Sequence, residues 1–223
     1  MREKGVAPIL LRGRAALLSL ALFFLSSISA ENIPGLDPAF PPKLIPETHS
    51  ILRAASGDLN GDGMADQILV IANNKEQKSG DINESWRELR IYLRQKGKNA
   101  WKPVLENERA VLCRNCGGMM GDPLGDLRIE NGTFLIQHSG GSRWRWAYTH
   151  RFRWQQGGWA LIGETSESYD AMNSESRVKD HNLITGKYHL DTEKDGKKTR
   201  KVGYEKKGLK FLRNFDIYKE MEE

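Results

Sequence analysis

The chain has 223 residues, of which 28% are charged and 39% hydrophobic, and a formal net charge of +5. The first 30 residues carry four basic residues and one acidic residue, so without them the net charge falls from +5 to +2. This small excess does not indicate a nucleic-acid-binding surface, and the remaining length suits one domain that buries its own core.

Residues 1–30 have the features of a secretory signal peptide. The apolar run 15–25 is too short to span a bilayer comfortably, and small residues follow it up to Ala30. No later segment reaches 18 consecutive apolar residues. The sequence therefore predicts a periplasmic or secreted protein without a membrane span. The basic start of this segment consists of Arg2, Lys4, Arg12 and Arg14.

Residues 31–50 hold five of the eight prolines and predict an extended leader. From residue 51 onward, apolar residues alternate with polar ones or form short blocks bounded by Gly, Asn and Asp. Such patterns are typical of β-strands. We therefore expect residues 51–223 to form a single, mainly β domain.

Hairpin signals connect several of the predicted strands. Asn131-Gly132 is the dipeptide favoured in a two-residue type I′ turn, and residues 155–158 have the same character. Residues 215–222 predict at most a short helix. Consecutive antiparallel hairpins are thus expected to build a single sheet, a sandwich or a barrel-like domain. The strands are predicted near residues 51–55, 67–72, 87–94, 101–105, 126–130, 133–138, 143–154 and 159–164, around Tyr188 and Val202, and at 209–211.

An acidic loop follows the first predicted strand. Its oxygen-bearing positions have the spacing of positions 1, 3, 5, 7 and 9 of a calcium loop, with Gly63 at the sixth position, where a sharp turn is needed. Calcium takes six to eight oxygen ligands, so a tight loop must turn alternate groups inward. The predicted ligands are Asp58, Asn60, Asp62, the main-chain carbonyl of Met64, and Asp66.

The surroundings of this loop differ from those of an EF-hand. Leu69 occupies the twelfth position, where an EF-hand has a glutamate, and the flanking segments are predicted strands rather than helices. The strand-loop-strand setting resembles the calcium loops of FG-GAP and VCBS repeats. The resemblance implies Ca²⁺ as a cofactor. It covers one copy, whereas a propeller needs several blades, so no full propeller is expected. A metal-free Asp/Asn/Gly turn is the alternative interpretation.

The two cysteines, Cys113 and Cys116, are separated by only two residues. In an exported protein a local disulfide is the favoured state. A redox pair and a metal site are the alternatives. Gly117 stands where c-type haem attachment needs a histidine, and the glycine-rich residues that follow give no signal for the start of a helix.

The segment 143–154, RWRWAYTHRFRW, alternates aromatic and basic residues. Successive side chains of a strand point to opposite faces, so one face is predicted to be a core and the other a cationic ribbon. The simplest interpretation places the arginines in solvent. The alternatives are neutralisation by a facing acidic strand and an interface for an acidic ligand or a protein partner. The arginines are Arg143, Arg145, Arg151 and Arg153.

Two glycine-rich segments, 116–126 and 138–143, flank the predicted turn at 131–132 and are expected together at the far end of that hairpin. They contain residue types found in hydrolase sites, but the Gly-x-Ser-x-Gly pattern of a nucleophile elbow is absent. Structural turns are the favoured interpretation. The catalytic candidates are Asp122, His138 and Arg143, with Ser142 as the nucleophile.

The glycine-rich segments, the aromatic strand and the sequence NLITGKY together resemble exported bacterial proteins of unknown function. The favoured prediction is a non-enzymatic, calcium-binding structural or binding protein of the bacterial envelope. One alternative is an inhibitor or immunity-type protein that binds an envelope toxin or hydrolase. A hydrolase with its site in the glycine-rich loops is the other alternative.

Overall fold

The computed structural model describes residues 33–76, 87–98 and 100–221. Over these residues the chain forms two open antiparallel sheets in which each strand pairs with its neighbours in sequence. The first sheet contains β1 (His49–Gly57), β2 (Asp66–Asn73), β3 (Arg87–Arg94) and β4 (Trp101–Asn107). The second contains β5 (Leu124–Glu130), β6 (Thr133–Gly141), β7 (Trp144–Gln155), β8 (Gly158–Asp170), β9 (Ser176–Asn182), β10 (Lys187–Lys194) and β11 (Lys197–Tyr204).

The helical segments are short. Three 3-10 helices span Pro42–Leu44, Gly118–Met120 and Leu212–Asn214, and one α-helix, α1, spans Ile217–Glu220. The Asp216 side chain caps α1 by accepting a hydrogen bond from the Tyr218 N–H. The predicted mainly β class is confirmed, and because both sheets are open the barrel-like alternative does not apply to the described residues.

The main hydrophobic core joins the two sheets. It includes Ile68 of β2, Ile91 of β3, Phe134 of β6 and Phe152 of β7, and the C-terminal residue Ile217 also lies in it. The rings of Phe134 and Phe152 stack with their centroids 5.0 Å apart. Burial of these apolar surfaces supplies the main driving force for folding.

Strand β2 reads as a continuous apolar run because both of its faces are covered. Ile68 faces the main core, whereas Leu69 and Ile71 belong to a second cluster with Phe40. Phe40 contacts Tyr92 edge-to-face at a centroid distance of 5.0 Å. The residues that precede β1 therefore cover the outer face of the first sheet.

The two predicted hairpin turns are present. Asn131 and Gly132 have φ values of 51° and 69°, and Gln156 and Gly157 have values of 51° and 79°. Positive φ at both central positions is the requirement of a type I′ turn. These turns join β5 to β6 and β7 to β8.

The prediction of the C-terminal strands is partly wrong. The segment 209–211 forms only a single bridge, between Ala160 and Phe211, because the chain turns at once into the 3-10 helix Leu212–Asn214. Strand β9 was not predicted, and β10 and β11 are longer than the segments expected around Tyr188 and Val202. No residue of β10 or β11 is fully buried, so these strands lack the apolar alternation on which the prediction relies.

Gly140 provides a test of the packing at the end of β6. A Cβ atom at this position would lie 2.6 Å from the Trp146 ring and 2.8 Å from the Cα atom of Gly117. We expect Gly140→Ala to lower the free energy of unfolding by about 1 to 3 kcal/mol in urea denaturation, because the sheet and the adjoining loop must separate. Gly208→Ala, where no atom lies within 4 Å of the new methyl group, is the control. Equal midpoints for the two variants would contradict this packing.

Candidate functional site

The acidic loop connects β1 to β2, and Asp58 organises it. Its Oδ1 atom accepts hydrogen bonds from the N–H groups of Gly61 (2.7 Å) and Asn60 (3.2 Å), and its Oδ2 atom accepts one from Gly63 (2.8 Å). Gly61 and Gly63 have φ values of 78° and 81°, which side-chain-bearing residues rarely adopt. The bond from Gly63, followed by those from the other loop amides, lowers the pKa of Asp58.

The next two polar positions repeat this pattern. Asn60 Oδ1 accepts from the Asp62 N–H at 3.0 Å, and Asp62 Oδ1 accepts from the Met64 N–H at 2.8 Å. The Asn60 amide also donates to Asp62 Oδ2 at 3.2 Å. Side-chain oxygens at alternate positions are thus held in one conformation by bonds to main-chain groups a few residues further along.

Asp66, the first residue of β2, connects the loop to the sheet. It is fully buried, and its two oxygens accept from the Leu59 N–H and the Arg94 N–H, both at 2.9 Å. Burial raises its pKa, and the negative charges of Asp62 and Asp58 raise it further. The Asp66 carboxyl is therefore influenced by the charges of Asp58 and Asp62. The Arg94 N–H at the end of β3 holds Asp66 in place.

The loop offers a mixed set of oxygen donors. The carboxylates of Asp58 and Asp62 alternate along the chain with the Asn60 carboxamide and are followed by the Met64 carbonyl, and hard cations such as Ca²⁺ bind these oxygen types. A carboxylate has about four lone-pair positions, so the hydrogen bonds to Asp58 and Asp66 leave acceptor capacity. Across the described ranges, no three His, Cys, Asp or Glu side chains form a metal-binding group of their own.

The two cysteines form a disulfide, with their Cα atoms 5.2 Å apart. The Cys116 N–H donates to the Cys113 carbonyl, so the bond closes a single turn. Of the three states considered from the sequence, the structure has the disulfide. The turn leads directly into the 3-10 helix Gly118–Met120.

An ionic cluster around the buried Arg87 was not predicted from the sequence. The Arg87 guanidinium is almost fully buried and donates to Glu76 at 2.6 Å and to both oxygens of Asp122 at 2.6 and 2.7 Å. Asp122 Oδ1 also accepts from the Leu124 N–H, where β5 begins. Burial alone would raise the pKa of Asp122, but the bonds from Arg87 and Leu124 lower it overall. The Asp122 carboxylate, a catalytic candidate from the sequence, is therefore bonded to Arg87 and to the start of β5.

The other two catalytic candidates have different surroundings. His138 is fully buried, and its Nε2 atom accepts from the Leu112 N–H at 3.4 Å. Arg143 forms a bidentate pair with Asp170, with distances of 3.0 Å from Nε and 2.7 Å from Nη2. The Arg143 guanidinium lowers the pKa of Asp170 to about 2. The negative charge of Asp122 acts to raise the pKa of His138. The Arg143 guanidinium pairs instead with Asp170.

The predicted arginine face is present and is satisfied largely within the sheet. Arg145 donates to the Tyr169 hydroxyl, Arg151 to the Thr165 hydroxyl at 3.0 Å, and Arg153 to the Gln155 carboxamide. Asp180 lies 3.5 Å from the Arg151 guanidinium. The neighbouring strands β8 and β9 therefore supply most of the hydrogen-bond and ionic partners of these arginines, which the sequence alone did not identify.

The aromatic face of β7 is a core only in its central part. His150 and Phe152 are buried, whereas the terminal residues Trp144 and Trp154 are 52% and 50% exposed. The prediction that the whole aromatic face packs inside is therefore wrong at both ends. The strand is longer than the part of the sheet that the core covers.

The fold defines a mainly β protein of two open antiparallel sheets with an acidic loop between its first two strands. Comparison with protein-family models, curated proteins and solved structures finds no match. In the part of the chain that the structure describes, no helix has both the length and the apolar character needed to cross a membrane.

The buried histidines predict how stability depends on pH. Burial lowers the pKa of His138 to about 3 and that of His150 to about 4, from 6.5. Below pH 6.5 the unfolded chain therefore binds protons that the folded protein does not, and the free energy of unfolding falls. We expect a loss of about 1 to 2 kcal/mol per histidine between pH 6.5 and 5.

Urea denaturation at several pH values measures this effect. His150→Gln cannot take up a proton, so the slope of unfolding free energy against pH between 6.5 and 5 should be smaller than in the wild type, whatever its stability at pH 7. Parallel slopes for the two proteins would show that His150 is protonated to the same extent in the folded and unfolded states.

Proposed function

We propose that the protein is an exported, non-enzymatic β protein of the bacterial envelope whose loop at residues 58–66 binds one Ca²⁺ ion that stabilises the domain. The observation that carries the proposal is the alternation of side-chain oxygens in the loop. Asp58, Asn60 and Asp62 are each held by main-chain N–H groups of the loop itself. The donors are thus ordered before a cation binds, which reduces the entropy lost on binding.

The electrostatics of the loop also support a cation. The negative charges of Asp58 and Asp62 help to raise the pKa of the buried Asp66 carboxyl, so they disfavour its ionised form. A divalent cation would relieve this repulsion. Because Asp66 is bonded to both Leu59 and Arg94, the stabilisation would reach the ends of β2 and β3.

A structural role fits this loop better than catalysis. Each oxygen of Asp66 accepts a main-chain hydrogen bond, and the single carboxylate of Asp58 accepts hydrogen bonds from the N–H groups of the turn, which suits a role in holding the loop together. The arginine face supports a partner-binding function less well, because most of its guanidinium groups have partners within the sheet. Export, as expected from the signal-like residues 1–30, would place the loop where calcium is abundant and where the disulfide is stable.

Thermal unfolding tests the calcium proposal. Saturation at the affinity of extracellular calcium modules should add about 1 to 2 kcal/mol, which corresponds to a Tm higher by about 2 to 8 °C in calcium than in chelator. Asp62→Asn keeps an acceptor for the Met64 N–H but removes one negative charge. We expect this variant to lose most of the calcium-dependent shift.

The matched control is Asp195→Asn. Asp195 occupies the turn between β10 and β11 with a φ value of 52°, a conformation that asparagine also tolerates. This variant makes the same chemical change away from the loop and should retain the full calcium-dependent shift. Identical wild-type melting curves in calcium and chelator, with no calcium found by metal analysis, would refute the proposal.

A further inference from the structure

Three loops at one end of the second sheet present large apolar side chains to solvent. Met119 is 87% exposed and Met120 52%, Trp144 is 52% exposed, and Met172 is 75% exposed. We call these four residues the apolar tip. Soluble proteins seldom gather exposed apolar side chains of this size without a function for them.

Main-chain hydrogen bonds join the three loops. The Gly141 N–H donates to the Gly117 carbonyl at 2.9 Å, which attaches the loop carrying Met119 and Met120 to the end of β6. The Ala171 N–H donates to the Arg143 carbonyl at 2.9 Å, which attaches the loop carrying Met172 to the start of β7. The β6–β7 turn is thus bonded to the loops on both sides of it, so the residues of the apolar tip lie on connected segments.

Side-chain contacts hold these loops in place. The buried Asp170 accepts from Arg143, from the Met172 N–H at 2.9 Å and from the Asn173 amide at 3.1 Å. The Cys113–Cys116 disulfide closes the turn before Met119. These bonds fix the backbone of the loops from which the methionines project.

Basic groups border the apolar tip. Arg114 is exposed in the disulfide-closed turn, and the Arg143 side chain is half exposed above its buried partner Asp170. Lys194 is mostly exposed and pairs with Glu175 of the β8–β9 loop at 3.0 Å. Lys197 follows in the β10–β11 hairpin. Arg143 and Lys194 pair with Asp170 and Glu175, and Asp195 is the other acidic residue of these turns, so the four basic side chains exceed the three acidic ones by one charge.

We propose that the apolar tip docks the protein onto an anionic phospholipid surface, with the methionine and tryptophan side chains at the level of the headgroups. Tryptophan is enriched at this depth, and neighbouring lysine and arginine residues favour anionic lipids. The side chains stand on turns at the end of the sheet rather than in a groove, a shape that suits insertion into a bilayer surface. This inference does not depend on calcium binding.

Vesicle sedimentation tests the proposal with residues 32–223, which form one compact unit and lack the apolar run of residues 15–25. The vesicles contain either phosphatidylcholine alone or phosphatidylcholine with about one third phosphatidylglycerol, and chelator prevents calcium bridges to the lipid. We expect binding to the anionic vesicles and weaker binding to the neutral ones. Each of Met119→Ser, Trp144→Ser and Met172→Ser should weaken the apparent Kd about tenfold.

Trp154→Ser is the matched control, because Trp154 is 50% exposed at the opposite end of the same strand. It should bind anionic vesicles as the wild type does, and urea denaturation verifies that each variant is folded. Three outcomes would overturn the proposal. These are no sedimentation with anionic vesicles, equal weakening by Trp154→Ser and Trp144→Ser, and self-association that the apolar-tip substitutions abolish while vesicle binding is absent.

Discussion

The buried charge of Arg87 links the two sheets. Glu76 follows β2, Arg87 begins β3, and Asp122 precedes β5, so one guanidinium connects the first sheet to the start of the second. Removing either carboxylate would leave the buried Arg87 guanidinium with one ionic partner instead of two, which destabilises the fold. Asp122 also accepts from Leu124, and the position of β5 therefore depends on the same cluster.

From this link at its edge strand β5, the second sheet runs through two regions with different surroundings. Strands β5 to β8 pack against the first sheet, whereas β10 and β11 have no fully buried residue and rely on cross-strand pairs such as Arg200 with Asp191. Strand β7 is longer than the covered region, so a tryptophan emerges at each end. Trp154 lines a cavity with Asn60 of the acidic loop, and Trp144 stands among the loops at the other end.

Sequence patterns predicted the loops and turns that are determined by residues close together in the chain. The pattern around Asp58 to Asp66 predicted a loop between two strands, and Asn131-Gly132 predicted a turn with positive φ at both residues. The Arg87 cluster had no such signal, because its partners lie 11 and 35 residues away and single charged residues occur throughout the chain. The charged strands β9 to β11 were missed or shortened because solvent-exposed hairpins do not need an apolar period.

The two proposed properties lie at opposite ends of the same sandwich, and this arrangement makes them separable. The acidic loop shares a cavity with Trp154 at the β7–β8 turn, while the apolar tip adjoins the β6–β7 turn. A cation bound at the loop would act through Asp66 on β2 and β3, which contribute no residue to the tip. Asp170 anchors the Met172 loop at the ends of β7 and β8, and the Gly141–Gly117 hydrogen bond attaches the Met119 loop to the end of β6. Calcium would therefore change the stability of the domain without altering the surface proposed to meet lipid.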